Sequence, residues 1–414
     1  MNLNPLQILN GNGITQTFRQ KNILRPCKIV NGKILFIDGG KQAIVQIGNQ
    51  KYPVRVEAPV EINKEYWFEV FKKNNQTQLK LMEKLTDSDA LFVHFGIPPG
   101  KKGNRFFHFW KSSGLPFERQ ILMKSFQWYK ETGDLKGTVE TVKYMIRNGL
   151  PFSVDVFRSL FSLRRDTSIS SLFQKIFHEL LNHRSIKNLS VDHPFRLLLN
   201  QLQNMSATDW TDGKRVFIKL RQLLYLLGYN REKDIKHDLK QKLTLKALIM
   251  QLLQNEKAGT EFFSAGQQFI YKLTGLQILN LEKNDLLQLT FTLPVPLPDD
   301  IGELTLRLRG KKREDGLIDA DFCHIFLDLD MPNLGKTEIQ MFVQNRIINL
   351  HIVNEKKNLE QIAGPYINAL QSNLLHAGYK LSSVKFGMHR KKDNHDHSFS
   401  VPSFHKTGRM DVKI

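Results

Sequence analysis

The hydrophobic period of this chain changes twice, and that change constrains its fold more than any single motif. From Pro26 to Leu85, apolar and polar residues alternate in short runs: Lys28 to Phe36, Gln42 to Ile47, Tyr52 to Glu57, Tyr66 to Lys72 and Gln78 to Met82. Gly39-Gly40, Gly48-Asn49 and Asn74-Asn75 separate these runs with residues that accept positive φ, which predicts a small antiparallel barrel or curled sheet. After Asp87 apolar residues recur three and four apart, through Gln120 to Tyr129, Val139 to Ile146, Val154 to Phe161, Ser171 to Leu181, Val216 to Leu227 and Leu243 to Leu253. That spacing puts them on one face of a helix. From about Leu286 the period of two returns, with strands expected at Leu287 to Val295, Glu303 to Arg309, Leu317 to Leu329, Lys336 to Val343 and Ile347 to Ile352. A helical stripe follows, Leu359, Ile362, Tyr366, Leu370 and Leu374, with Gly378 placed to end it and Pro365 inside it, and then a last strand, Leu381 to Phe386.

Within the helical stretch Gly114-Leu115-Pro116-Phe117 recurs as Gly149-Leu150-Pro151-Phe152, with a looser copy at Gly96-Ile97-Pro98. Gly is expected to close one helix and Pro to open the next. Two good copies are too few for a solenoid, so the reading is an irregular bundle. The expected architecture is therefore an α+β multidomain chain. It has a polar segment at 1–25, a small β-barrel-like domain at 26–86, a helical region at 87–283, a β-rich α+β domain with one main helix at 284–388, and a disordered, basic, His-containing tail at 389–414.

The 414 residues carry 60 Lys and Arg against 40 Asp and Glu, a net charge of +20. Such a charge favours anionic partners, whether nucleic acid, membrane surface or acidic protein, without naming one. Hydrophobic residues at 41% and aromatics at 10% are enough for two or three packed cores and exclude a mainly disordered chain. Cys27 and Cys323 have no paired spacing, so no disulfide framework or thiolate metal site is expected, and a reducing, cytoplasmic compartment fits. The start lacks an apolar signal region, and no apolar run is long enough to span a bilayer.

Several chemical motifs fail on spacing. His178 and His183 are five apart, about 140° around a helix, where a zinc-protease pair is four apart. Gly96 to Lys102 lacks both the loop length and the Ser or Thr of a phosphate loop. Asp319, Asp321, Asp328 and Asp330 flank an apolar strand and read as its solvated ends, and His389, His395, His397 and His405 lie in a tail with no apolar shell. No Gly-x-Ser-x-Gly elbow or local Ser/His/Asp set occurs. The expectation is a non-enzymatic protein with no cofactor, no metal and no small-molecule substrate.

The β-region at 26–86 combines Lys28, Lys33, Lys41, Lys51, Arg55, Lys72 and Lys73 with Phe36, Tyr52, Tyr66 and Trp67. Small barrels bind single strands by stacking bases on aromatics and tracking phosphates with cations. One functional reading is thus nucleic-acid binding through Lys28, Lys33, Lys51, Arg55, Tyr66 and Trp67; the bland reading is that the rings fill a small core and the lysines keep strand edges soluble. Arg307, Arg309, Lys311, Lys312 and Arg313 form a second basic run at a hairpin, open to the same two readings.

The stretch Leu327-Asp-Leu-Asp-Met-Pro-Asn-Leu-Gly335, followed by two strand runs, a helix ending near Gly378 and a final strand, resembles the C-terminal domain of the flagellar hook-length control family. The motif residues are Pro332, Asn333, Leu334 and Gly335. In physical terms Pro stops a strand and pre-sets a turn, Leu is expected to plug the core beneath, and Gly lets the chain re-enter the sheet. The resemblance implies a protein without catalysis whose C-terminal domain touches the cytoplasmic part of a type III export gate and switches export from hook to filament subunits. It also implies that the polar start could serve as an export signal. The chain departs from the family in having no extended region rich in Gln, Pro or Ser to act as a ruler.

Overall fold

The computed structural model describes residues 28–38, 42–47, 50–55, 59–73, 76–82, 92, 94–115, 117–204, 213–229, 244–280, 286–296, 301–331, 334–356 and 358–388. The expected polar start, the His-containing tail, Cys27 and Lys41 lie outside the described residues. The protein is mixed α+β, with a sheet near the start, helices in the middle and a second sheet towards the end. It divides into two compact units, residues up to 157 and residues from 158.

In the first unit five antiparallel strands, β1 (Lys28–Asp38), β2 (Gln42–Ile47), β3 (Gln50–Arg55), β4 (Glu65–Lys73) and β5 (Gln76–Leu81), pair in the order β3-β2-β1-β4-β5. β1 is long enough to pair with both β2 and β4, and its register slips between Ile34 and Phe36. Such a bulge bends a strand. The sheet curls until the two edge strands, β3 and β5, come within 8 Å of each other between Cα atoms. Alternation sends Val30, Ile34, Val45, Ile47, Phe68 and Val70 into the curl.

Among the described residues the helices α1 (Lys101–Ser112), α2 (Arg119–Thr132) and α3 (Leu135–Arg147) follow, and then α4 (Val154–Ser162). Asp134 caps α3 by accepting from the Gly137 amide at 2.8 Å, satisfying one of the amides a helix start leaves bare. Gly114 and Gly149 have the expected positive φ, 65° and 63°. Pro151 does not open a helix, however, and Pro116 lies outside the described residues. α4 begins at Val154, three residues beyond Pro151, and it is the Ser153 hydroxyl that accepts from the Val156 amide.

In the second unit α5 (Ile169–Asn182), the short α6 (Arg184–Lys187), α7 (Pro194–Gln203), α8 (Gly213–Leu227), α9 (Leu245–Asn255) and α10 (Glu261–Leu279) pack with one end of the second sheet. Ser168, Thr244 and Thr260 cap α5, α9 and α10 with their hydroxyls. α10 is at the centre: Phe262, Phe269, Leu273 and Leu276 are buried, and so are Gly266 and Gly275. Among the described residues no helix is long and apolar enough to cross a membrane.

The second sheet has six strands, β6 (Leu286–Pro296), β7 (Ile301–Lys312), β8 (Ile318–Met331), β9 (Gly335–Gln344), β10 (Ile347–Asn354) and β11 (Lys380–Met388), in the order β11-β10-β9-β8-β7-β6. The first five form an antiparallel meander. β11 pairs parallel to β10, and a parallel neighbour needs a long crossover, which α11 (Leu359–His376) supplies. Pro365 sits within α11 without ending it. One face of the sheet is apolar and is covered from two directions: Leu293, Val295 and Leu304 join the helical core, while Val343, Ile348, Leu350 and Leu381 pack with Ile367 and Leu374 of α11.

β6 is an edge strand whose outward backbone groups at Thr290 and Thr292 are taken by side chains. Asn280, just past α10, accepts from the Thr290 amide and donates to the Thr290 carbonyl at 3.0 Å. The buried Tyr229 hydroxyl accepts from the Thr292 amide at 3.2 Å and donates to its carbonyl at 2.7 Å. An edge capped in this way is closed to a further strand.

Candidate functional site

β8 ends at Met331 and β9 begins at Gly335, with Met331 opposite Gly335 in the ladder, so the two strands pair on either side of the motif. Pro332 and Asn333 lie outside the described residues. Gly335 has φ 73°, and a Cβ there would meet nothing within 4 Å. Glycine is needed at this position for its backbone conformation, not for space.

Leu334 differs from expectation. It is half-buried, and its carbonyl is the anchored part. The anchor is Asn354, the last residue of β10, whose side chain is fully buried. Its Nδ2 donates to the Leu334 carbonyl at 3.0 Å, the Lys336 carbonyl at 3.1 Å and the Thr337 hydroxyl at 2.7 Å, and its Oδ1 accepts from the Lys356 amide at 2.6 Å. One amide thus ties the β8–β9 hairpin to the chain leading into α11. Nothing in the pattern around Asn354 distinguishes it from an ordinary strand-end asparagine.

α11 covers the sheet with only part of its apolar stripe. Ile367 and Leu374 face the sheet, whereas Tyr366 is 71% and Leu375 68% exposed, with Ile362 exposed beside them. This helix face and the anchored hairpin belong to one module, β9-β10-α11-β11.

The basic aromatic set of the first sheet is not presented as a stacking platform. Trp67 is only 9% exposed, and its ring packs with Phe95, Phe107 and Phe117 at centroid distances of 6.1, 5.9 and 4.6 Å. Tyr66 is on the opposite face of β4, half-buried against the curl, and its hydroxyl accepts from the Glu61 amide at 3.0 Å. Consecutive strand residues cannot share a face, so these two rings cannot stack one strand together. Lys33 and Lys51 are exposed and share a row across β2 through Gln46. Lys28 opens β1 and Arg55 closes β3, and their side chains lie outside the described residues.

The second basic run divides by alternation. Arg307, Arg309 and Lys311 of β7 share the uncovered face of the second sheet with Phe322, His324, Phe326 and Asp328 of β8. Arg307 lies 3.9 Å over the Phe326 ring and 3.7 Å from Asp328, and His324 stacks on Phe342 of β9 with centroids 4.0 Å apart. Burial raises the Asp328 carboxyl pKa despite Arg307. Burial, then the charges of Arg309 and Arg307, push the His324 imidazole below its usual 6.5.

The folded state therefore binds a proton at His324 less readily than the unfolded chain. That stability is present above pH 6.5 and declines as the pH falls below it. In an NMR titration the His324 ring is expected to titrate below the usual histidine value of 6.5. A His324 midpoint at or above 6.5 would contradict this placement.

The other acidic and histidine pairs are structural. Asp321 pairs with Arg346 at 2.9 Å, Asp319 accepts from the Asp321 amide at 3.0 Å, and His183 packs on Phe262 with Glu256 3.5 Å from its Nε2.

The fold and its anchored turn define a mixed α+β protein with a strand-strand-helix-strand module behind a Gly-led hairpin. No family model matches the chain, and no solved structure matches it. Over 141 residues it is 23% identical to a protein of Bacillus subtilis (strain 168) described as "Uncharacterized protein YlqG"; the match covers 34% of this chain. The matched stretch spans about a quarter, 24%, of that relative's length.

Proposed function

We propose that this chain is a non-enzymatic interaction protein of the hook-length-control type, whose C-terminal module contacts the cytoplasmic part of a type III export gate and biases which subunits are exported. The observation that carries the reading is the order behind the Gly335 turn: β9, β10, α11 ending before Gly378 at φ 84°, then β11. A supporting feature is the outward apolar side of α11, which has a single acidic residue, Glu360, in its first turn and only His376 in its last. An apolar helix face of this kind suits a protein partner more than a polyanion.

The test is direct binding of the full-length protein to a purified cytoplasmic gate domain, with Tyr366→Ala and Leu375→Ala combined. Both side chains are mostly exposed, so the melting temperature should hold while affinity falls at least about tenfold, the scale of one interface hot spot. Undiminished affinity in that variant would remove α11 from the contact. Absence of binding by the unaltered protein would remove the gate as partner.

A further inference from the structure

We propose that the uncovered face of the second sheet binds single-stranded nucleic acid, stacking bases on a ring surface laid across β8 and β9 and holding phosphates on the cations of β7. This goes beyond the export-gate reading and does not depend on it.

The ring surface follows from register. Every second residue of β8 from 322 to 326 is aromatic, Phe322, His324 and Phe326, and all three emerge on one face. Phe342 lies directly across from His324, and Phe322 is one row further along, across from Gln344. Phe322 and Phe342 are 45% and 46% exposed, Phe342 although one side of its ring is stacked on His324. Large rings open to water on a flat sheet are a cost unless something stacks there.

Charge is arranged beside the rings. Arg309 is across from His324 and Arg307 across from Phe326, so two guanidinium groups flank the aromatic rows on the β7 side. On the far side the row through Gln340 and His351 ends at the exposed Lys385. Acidic residues mark the limit of the surface: Asp328 and Glu338 oppose each other one row beyond Phe326. The open face thus has an aromatic, cationic part and an acidic border, which orients an anionic chain along the former.

A single strand fits this chemistry better than a duplex or an acidic protein. Only unpaired bases expose faces that can lie on Phe322 and Phe342, and acidic side chains have no use for rings. The neutral His324 can stack as an ordinary aromatic ring near neutral pH, leaving the charge to the arginines.

The experiment is fluorescence anisotropy of the full-length protein with a fluorescein-labelled oligothymidylate of about 15 nucleotides, enough to cross the face whatever its site size, over a range of salt. Its oligouridylate counterpart, the same sequence as a duplex, and poly-glutamate serve as comparisons. Phe322→Ala with Phe342→Ala is expected to weaken single-strand binding at least about tenfold with little change in salt dependence, since stacking is lost and charge kept. Arg309→Ala with Lys311→Ala is expected to weaken it and to flatten the salt slope. A far-ultraviolet spectrum and melting curve matching the unaltered protein show that each variant is folded.

Any of these results would overturn the proposal: no binding of the single strand at low salt, undiminished binding in the folded double-phenylalanine variant, or equal binding of duplex. Displacement by poly-glutamate as effective as by unlabelled single strand would also overturn it, in favour of an acidic protein surface. Thymidylate and uridylate binding alike would leave DNA and RNA as equal sources; a preference for one names the source.

Discussion

Replacing Asn354 by leucine is expected to destabilise the second unit by about 3 to 4 kcal/mol, the cost of one or two buried polar groups left without partners. Leucine fills nearly the same space but neither donates to the Leu334 and Lys336 carbonyls nor accepts from the Lys356 amide, so the loss comes from hydrogen bonds rather than from a cavity. Aspartate separates the two halves of the network. It keeps the acceptor for Lys356 but sets a carboxylate against two carbonyl oxygens, which raises its pKa in the folded protein. Protonation restores a donor, so Asn354→Asp should be least harmful in acid and lose stability as pH rises through that raised pKa. Urea unfolding of both variants at several pH values checks this; a leucine variant within 1 kcal/mol of the unaltered protein, about the size of an ordinary substitution, would mean that the amide is not the anchor.

Gly275→Ala tests the packing of the helices. A Cβ at Gly275 would sit 2.3 Å from the Ser159 carbonyl oxygen and 3.0 Å from its carbon, both backbone atoms of α4. Alanine favours a helix over glycine by about 1 kcal/mol, but relieving a clash with backbone means moving one helix against another, at typically 1–3 kcal/mol and occasionally more. The clash wins, and a net loss of about 2 kcal/mol is expected in thermal or urea unfolding. Gly266 of α10 is the counterpart: its Cβ would come no closer than 3.0 Å, and only to side-chain atoms of Ile249 and Leu253 that can give way, so Gly266→Ala should cost clearly less than Gly275→Ala. Equal effects at the two positions would refute the close approach at Gly275.

Where apolar period and burial coincide, the elements were legible from sequence. β7 to β11 fall within a few residues of their expected runs, because each buries one face and alternation reports that directly. α10 was not legible. Phe262, Ala265, Phe269, Ile270 and Leu276 are buried around most of its circumference, so no polar stripe remains to give a period. α1 is hidden differently: Phe106, Phe107 and Trp110 form a stripe, but it follows Gly100-Lys101-Lys102, whose residue types are those of a phosphate loop.

The sites divide along the same line. The hairpin at Gly335 could be read from local turn chemistry, whereas the role of Asn354 depends on β10 lying beside β9, and no local pattern reports it. Tyr66 and Trp67 are alike in sequence as strand aromatics open to either reading, yet Trp67 is enclosed by Phe95, Phe107 and Phe117. The rings of β8 read in the sequence only as part of an apolar run between aspartates; that they share one face follows from the strand, and which face stays open is decided by where α10 and α11 pack.

The sealed edge of β6 has a kinetic meaning. Edge strands commonly fray first, admitting water to their amides while the rest of a sheet holds. Here the outward amides of Thr290 and Thr292 are held by Asn280 and Tyr229, side chains rooted in the helical core rather than in another strand. Water reaches those amides only when the helices let go, so this border of the sheet opens together with the helical bundle and not ahead of it.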